Sequence, residues 1–411
     1  MTGENLENTV DIFERYGLTR IINASGTETT KGASPVCAEV IDAVNALVPH
    51  CVDMLELQSV AYHTISHAFG CDGGIAVNCS AAGISTAVAA CMTGANLARV
   101  ERLPDTGGMK CEIILQRGHN ITYGGYIAQN VTLTGARIVE IGGATECGVY
   151  QLIEAITPQT AAVLYVVSHH TVQSGLITLE EVCEAAHAHG VPVIVDGAAE
   201  PEPRLFLRAG ADLVITSMHK SFAGLTGAVV SGRRDLIQAC LFQEKGICRP
   251  MKVGKEGVIG AIAAIERWAR ADHAGIARAR MARLERGKAE LESVPGLKVE
   301  IELDSTSHLF SRLLLHVDAA KAGITAYQLS AGLSSMKPSI AVRTLMADIG
   351  LLQVDLRRAD EMTAEHIINS IKEIVAAGPA AGAQAQPPSV NLADKAVASL
   401  RKFPLPMKEP T

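Results

Sequence analysis

The chain has 411 residues, 48% hydrophobic and 19% charged, a balance that predicts a well-filled core and excludes a disordered protein. Its net charge of −7 gives no electrostatic attraction to nucleic acid or an anionic membrane, so neither is expected as a partner. Ten cysteines occur, none spaced as C-x-x-C, which reads as reduced, mostly structural thiols in a cytoplasmic protein. No basic segment followed by an apolar run opens the sequence, and no unbroken apolar run reaches about 18 residues, so neither a signal peptide nor a membrane-spanning helix is expected.

Residues 1–20 read as a short amphipathic helix leading into IINASGTETTKGAS, which has too much turn chemistry to be helical. Helices follow at Pro35 to Val48, with the proline early, and at Asp53 to Phe69, ending on Gly70. A large domain is expected over 74–253. Its strands are Ile75 to Asn78, Glu112 to Leu115, Arg137 to Ile141, Ala161 to Val167, Val191 to Val195, Leu213 to Thr216 and Gly227 to Ser231. CSAAGIS reads as a small-residue turn, and Ile84 to Arg102 as one helix. Strands alternating with helices predict an α/β fold with a mostly parallel seven-stranded sheet covered on both faces. Residues 254–377 then give an interdomain helix (Gly254 to Ser293) and a smaller α+β domain. Its strands are Lys298 to Glu302, His308 to His316 and Ile340 to Arg343, with a helix near Ala364 to Ala377. Residues 1–73 form an N-terminal segment belonging with the small domain. Residues 378–411 form a linker, GPAAGAQAQPP, and a tail.

Candidate chemistry centres on VPVIVDGAAE and TSMHKSFAG. Each apolar strand delivers a functional group at its carboxyl end, Asp196 from one and Lys220 just beyond the other. Ligands in open α/β sheets bind outside those ends. A lysine able to form a Schiff base, with a carboxylate to partner a pyridinium nitrogen, suits pyridoxal phosphate. Ser217 is placed to reach the phosphate, and Ala198 is small enough to lie beneath a flat ring. NCSAAGIS, between a strand and a helix, is the natural phosphate turn, with Ser80, Ala81 and Ala82 at its centre. His119 follows one strand and is expected to stack on the ring. His169 and His170 follow another and approach the ring hydroxyl, though each alone also reads as a polar loop residue. Arg343, closing PSIAVR, is a candidate carboxylate clamp or an ordinary edge-strand arginine. Arg249, Lys252 and Lys255 in RPMKVGKE are candidates for a phosphate or a solvated helix start. Ser217 and Lys220 also fit the S-x-x-K of penicillin-binding enzymes, but the S-D-N and K-T-G partners are missing. His63 and His67 share a helix face without the zincin glutamate, so no metal is expected.

On these residues the chain resembles the fold-type I pyridoxal phosphate enzymes. Within them it is similar to the group holding bacterial selenocysteine synthase (L-seryl-tRNA selenium transferase) and D-glucosaminate-6-phosphate ammonia-lyase. INASGTETTKGAS, VDMLELQSVA, NCSAAG, VIVDGAAE, TSMHKSFAG and PSIAVR carry the resemblance, over about residues 18–377. It implies pyridoxal 5'-phosphate on Lys220 with Asp196 at the pyridine nitrogen. It also implies a homodimer or higher even oligomer with shared sites, in which residues 1–73 contribute to the dimer and RPMKVGKE reaches into a neighbour's pocket. The acidic net charge and short N-terminus favour a small-molecule lyase over a selenium transferase. The expected reaction on a hydroxy-amino acid or amino-sugar acid, phosphorylated or not, is α-proton abstraction and β-elimination to a 2-keto acid and ammonia. Arg343 would hold the carboxylate, and Arg249 and Lys255 a distal phosphate. A racemase, aldolase, aminotransferase or selenium-transferase-type reaction, or a non-catalytic binding subunit of the same fold, remains open on sequence alone.

Overall fold

The computed structural model describes residues 11–304, 306, 309–378 and 397–405. Two compact units divide them. The larger is Gly32–Asp272 with Asp304–Leu309; the smaller takes the described residues up to Lys31, His273–Leu303 and those from Phe310 on.

The larger unit is built on strands β2 (Gly73–Val77), β3 (Glu112–Gln116), β4 (Arg137–Ile141), β5 (Thr160–Val166), β6 (Val193–Asp196), β7 (Leu213–Ser217) and β8 (Ala228–Gly232). The smaller unit carries β1 (Ile21–Ala24), which precedes them in the chain, and β9 (Leu297–Leu303), β10 (Ser311–Val317), β11 (Ser339–Val342) and β12 (Leu351–Val354). The seven strands of the large sheet run in the order β2-β8-β7-β6-β5-β3-β4, with only β8 antiparallel to its neighbours. Every residue of β2, β3, β6, β7 and β8 is buried, as near-continuous apolar runs require of a sheet covered on both faces. In β3, Ile113 and Leu115 pack in one core with Ile84, Ala87 and Val88, while Ile114 packs in another with Val182, Cys183 and Ala186. The helix Ser80–Thr93 therefore covers one face and Leu179–His187 the other.

Several boundaries differ from those expected. The helix expected from Ile84 begins at Ser80, capped by Cys79, because the small residues that read as a turn fit the crowded first turn against the sheet. It stops at Thr93, since Gly94 takes φ 58°, and a separate helix runs Leu97–Arg102. Residues 32–73 fall in the large unit rather than with the small domain, because Val40, Leu57, Ala61 and Ile65 share a core with Val258, Ile262 and Trp268. The same core draws helix Lys255–Arg270 into the large unit. The expected interdomain helix is thus divided at Asp272, and His273–Glu292 belongs to the small unit. At the N-terminus the described helix is only Ile12–Arg15, with Ile12 and Tyr16 exposed. Most of the expected linker and tail lies outside the described residues.

The smaller unit has an antiparallel sheet β12-β10-β9 and a parallel pair β1-β11, with helices His273–Glu292, Ala326–Ser335 and Glu361–Ala377 supplying its core. β1, β12 and Ala326–Ser335 carry no pattern that predicts them from the sequence.

Gly232 ends β8 at φ 146°, where an added Cβ would lie 2.0 Å from the Asp212 carbonyl oxygen. Gly232→Ala is expected to destabilise the chain by about 1–3 kcal/mol, read as a lower unfolding midpoint in urea; an unchanged midpoint would contradict this packing.

Candidate active site

The parallel strands bring their carboxyl ends to one edge. Val166 pairs with Asp196, and Asp196 with Ile215, so β5, β6 and β7 finish side by side. Val77 and Ser217 both register with Ala228, which puts the end of β2 at the same edge, across β8 from β7.

Four of the expected residues meet there. Asp196 is buried (7% exposed) and accepts a hydrogen bond from the Ala198 N–H (3.2 Å). The Ser217 N–H donates to the Ala198 carbonyl (3.3 Å), and Ser221 Oγ to that of Ala199 (3.1 Å), binding the loop after β6 to the turn carrying Lys220. Burial pushes the Asp196 carboxyl above its ordinary range, against the opposing charge of Lys220 and the Ala198 N–H. Burial likewise pulls the Lys220 amine down, against Asp196 and Glu200. Each group sits where its ion is costly, and each supplies part of the charge that makes the other tolerable.

Ser80, Ala81 and Ala82 form the first turn of the helix after β2, where backbone N–H groups point outward as anion donors. Ser217 Oγ and Thr216 Oγ1 are buried with no hydrogen-bond partner, and so are both ring nitrogens of His219. Buried orphan polar atoms beside an N-terminal helical turn call for an anionic, polar ligand, and a phosphate-bearing ring with a basic nitrogen facing Asp196 fits them. His119 is 3% exposed; its Nδ1 accepts from the Val166 N–H (3.3 Å), which leaves the proton on Nε2, and its ring stands edge-on to Tyr165 at 4.5 Å. Burial lowers its pKa to about 4. His169 is half-buried in the turn after β5, its ring centroid 3.9 Å from that of His170.

The remaining candidates lie on other elements. Lys255 Nζ donates to the carbonyls of Val48 (2.7 Å) and His50, closing the end of helix Ala38–Leu47. Arg249 lies exposed in a short helical turn. Arg343 follows β11 in the smaller unit, its Nε 3.9 Å from Glu28 Oε1 and its backbone bridged to Gln353. Burial, and then the nearby Arg312 guanidinium, lower its pKa.

Sequence reasoning missed four contributors. Ser34 Oγ donates to the carbonyl of His219 (2.6 Å), so the loop after TETTKG braces the lysine turn. His219, in the same turn, has both ring nitrogens buried without a partner. The Tyr123 phenol, raised by burial and more weakly by Asp196 and Cys79, belongs to the same edge. Glu200 is 2% exposed and faces Lys220. Only Glu200 left a trace in sequence, as an acid in an otherwise small-residue loop.

The SelA (L-seryl-tRNA selenium transferase) family model matches residues 21–362. The chain belongs to that family. It is 34% identical to D-glucosaminate-6-phosphate ammonia lyase of Salmonella typhimurium over 89% of this chain and 98% of the relative. It is 36% identical to a 5'-C-glycyluridine monooxygenase-decarboxylase of a Streptomyces species, over 88% and 92% respectively. A solved structure of D-glucosaminate-6-phosphate ammonia-lyase superposes with a TM-score of 0.81 at 33% identity, covering 90% of this chain and 100% of that one. The fold is therefore fold-type I, the chain is an enzyme, and pyridoxal phosphate is its cofactor.

A histidine whose folded pKa lies below its unfolded value resists protonation in the fold. Stability is then full above pH 6.5 and falls as the pH drops from 6.5 towards 4. In the cofactor-free chain, His119→Asn is expected to lose about 3 kcal/mol less than wild type over that window, measured by urea unfolding at several pH values; equal losses would contradict a buried neutral His119.

Proposed function

We propose that the protein is a pyridoxal phosphate-dependent ammonia-lyase acting on a 2-amino-3-hydroxy acid such as an amino-sugar acid. One observation carries the reading: buried Asp196 and half-buried Lys220 stand at adjoining strand ends, in a chain that matches D-glucosaminate-6-phosphate ammonia lyase over nearly its whole length. The cofactor, when bound, is the sink for the electron pair left at Cα. Lys220, with an amine pulled towards neutrality by burial, takes the Cα proton onto Nζ. Asp196 would keep the proton on the cofactor's ring nitrogen. The proton on Nζ leaves with the β-hydroxyl as water, and the released enamine hydrolyses to a 2-keto acid and ammonia.

The Ser80–Ala82 turn and Ser217 would hold the phosphate, and Ala198, His119 and His169 would contact the ring. Arg343 clamps the substrate carboxylate with its planar fork. Beside His119, a cavity of about 190 Å³ presents the side chains of Ser168, Thr171, Ser174, Thr178 and Thr306, a lining suited to a hydroxylated chain. We further propose an even homo-oligomer. Exposed Ile41, Val48, Leu55 and Val60 on the helices Ala38–Leu47 and Met54–Phe69 and the turn between them support it, and a second copy of this chain is the occupant of that face. All ten cysteines are free, which supports a reducing, cytoplasmic setting. No helix among the described residues is long and apolar enough to cross a membrane.

A second reading follows from the 36% identity to a monooxygenase-decarboxylase: loss of CO2 rather than a proton from Cα, with O2 as co-substrate. Incubation of the purified protein with 2-amino-3-hydroxy acids and amino-sugar acids, with and without a terminal phosphate, separates the two. Ammonia and a 2-keto acid are expected, with turnover lost in Lys220→Ala; CO2 release with O2 uptake would establish the second reading, and no product from any of them would sink both. Arg343→Gln should raise KM by about tenfold or more with a smaller effect on kcat; an unchanged KM would remove Arg343 from the site.

A further inference from the structure

Among the described residues, the non-glycine positions with left-handed backbone are Ala33 (φ 58°) and Ala223 (φ 53°). An alanine held there has its Cβ pressed towards the following carbonyl oxygen, a strain that persists only where surrounding contacts impose it. Both alanines are buried, and they flank one contact. Ala33 immediately precedes Ser34, and Ala223 closes the turn that carries Lys220.

That turn is held from several sides. Buried Ser34 donates its single hydroxyl hydrogen to the His219 carbonyl (2.6 Å), and the Lys220 carbonyl lies 3.3 Å from the same Oγ. The Cys37 N–H donates to the Ala223 carbonyl (3.0 Å), and the Gly224 N–H to that of Met218 (2.8 Å). Arg267 Nη2 donates to the Phe222 carbonyl (2.9 Å). The left-handed residue is Ala223 and not the glycine beside it. Gly224 is needed where it stands, since a Cβ there would come 3.1 Å from that of Ala264 and 3.3 Å from the Met218 carbonyl oxygen. The carbonyl that Ser34 holds belongs to the peptide joining His219 to Lys220, which is the plane from which the lysine side chain departs.

We infer that Ser34 is a positioning residue for Lys220. Its hydroxyl pins the His219–Lys220 peptide against the strain at Ala223, and so fixes the direction in which the lysine side chain leaves the backbone. Without that bond the turn relieves Ala223 by rotating its peptide planes, and Nζ moves off the line to the cofactor's aldehyde carbon. The inference rests on the reading that Lys220 carries the cofactor, and adds to that reading a residue from far earlier in the chain.

Two substitutions separate the holding of strain from general support. Ser34→Ala removes the hydroxyl and leaves the strain. Ala223→Gly removes the strain, because glycine takes the left-handed conformation at no steric cost. If Ser34 acts against the strain, adding Ala223→Gly to Ser34→Ala restores the turn. A serine that were merely a brace would give the opposite, since the glycine adds freedom and weakens the site further.

The test is a spectroscopic titration of the full-length, cofactor-free chain with pyridoxal phosphate, reading the Kd and the pH midpoint of the lysine-linked absorbance band. Ser34→Ala is expected to raise Kd by about tenfold or more and to move the midpoint by about half a pH unit or more. The double variant is expected to return to within about threefold of the wild-type Kd, with the wild-type midpoint. Wild-type binding in Ser34→Ala, or a double variant that binds no tighter than Ser34→Ala, would overturn the inference. Should Ser34→Ala not fold, Ser34→Cys, close in size and a weaker donor, carries the same comparison. Lys220→Ala is the reference. Loss of the band there, beside unchanged binding in Ser34→Ala, would refute the role of Ser34 and leave the cofactor reading standing. A band that survives Lys220→Ala would refute the reading itself.

Discussion

The pairing of buried Asp196 with half-buried Lys220 is the constraint from which the rest of the site follows. A carboxyl and an amine held out of water each lose hydration that the other repays only in part, so burial moves both towards their neutral forms. Such a pair is poor at stabilising a fold and well suited to receiving a cationic ring nitrogen at one group and an aldehyde carbon at the other. The parallel register of β5, β6 and β7 fixes that pair from the backbone, because Asp196 is the last residue of β6 and the lysine turn starts where β7 ends.

Around the pair, the fold supplies groups that have no use without a ligand. Ser217 Oγ, Thr216 Oγ1 and both nitrogens of His219 are buried without partners, four of the ten such side-chain atoms among the described residues and the only ones gathered in one turn. Gln116 and Gln58, by contrast, each exchange two hydrogen bonds with buried backbone, at Ile177 and Ala76.

Much of this was legible in the sequence. The seven strands of the large sheet, Asp196 and Lys220 at its carboxyl edge, and the family could be read because parallel strands leave unbroken apolar runs and the functional groups follow them directly. Other features depend on contacts far apart in the chain and left no local signal. Lys255 looked like a phosphate ligand in RPMKVGKE, yet its partners are carbonyls some two hundred residues away. The division at Asp272 reflects packing of Val258 and Ile262 on Val40 and Ile65, which periodicity along one helix cannot reveal. β1 and β12 were missed because each has four residues and takes its strand character from its partner. Ser80–Ala82 read as a turn because small residues mark both turns and tightly packed helix starts.

The central claim is that Lys220, and no other lysine, carries the cofactor opposite Asp196. Borohydride reduction of the cofactor-loaded protein, followed by peptide mass spectrometry, tests it most directly. The account predicts a pyridoxyl phosphate group fixed on the peptide holding Lys220, and its disappearance in Lys220→Ala. A reduced cofactor on a different lysine, or on none, would contradict it.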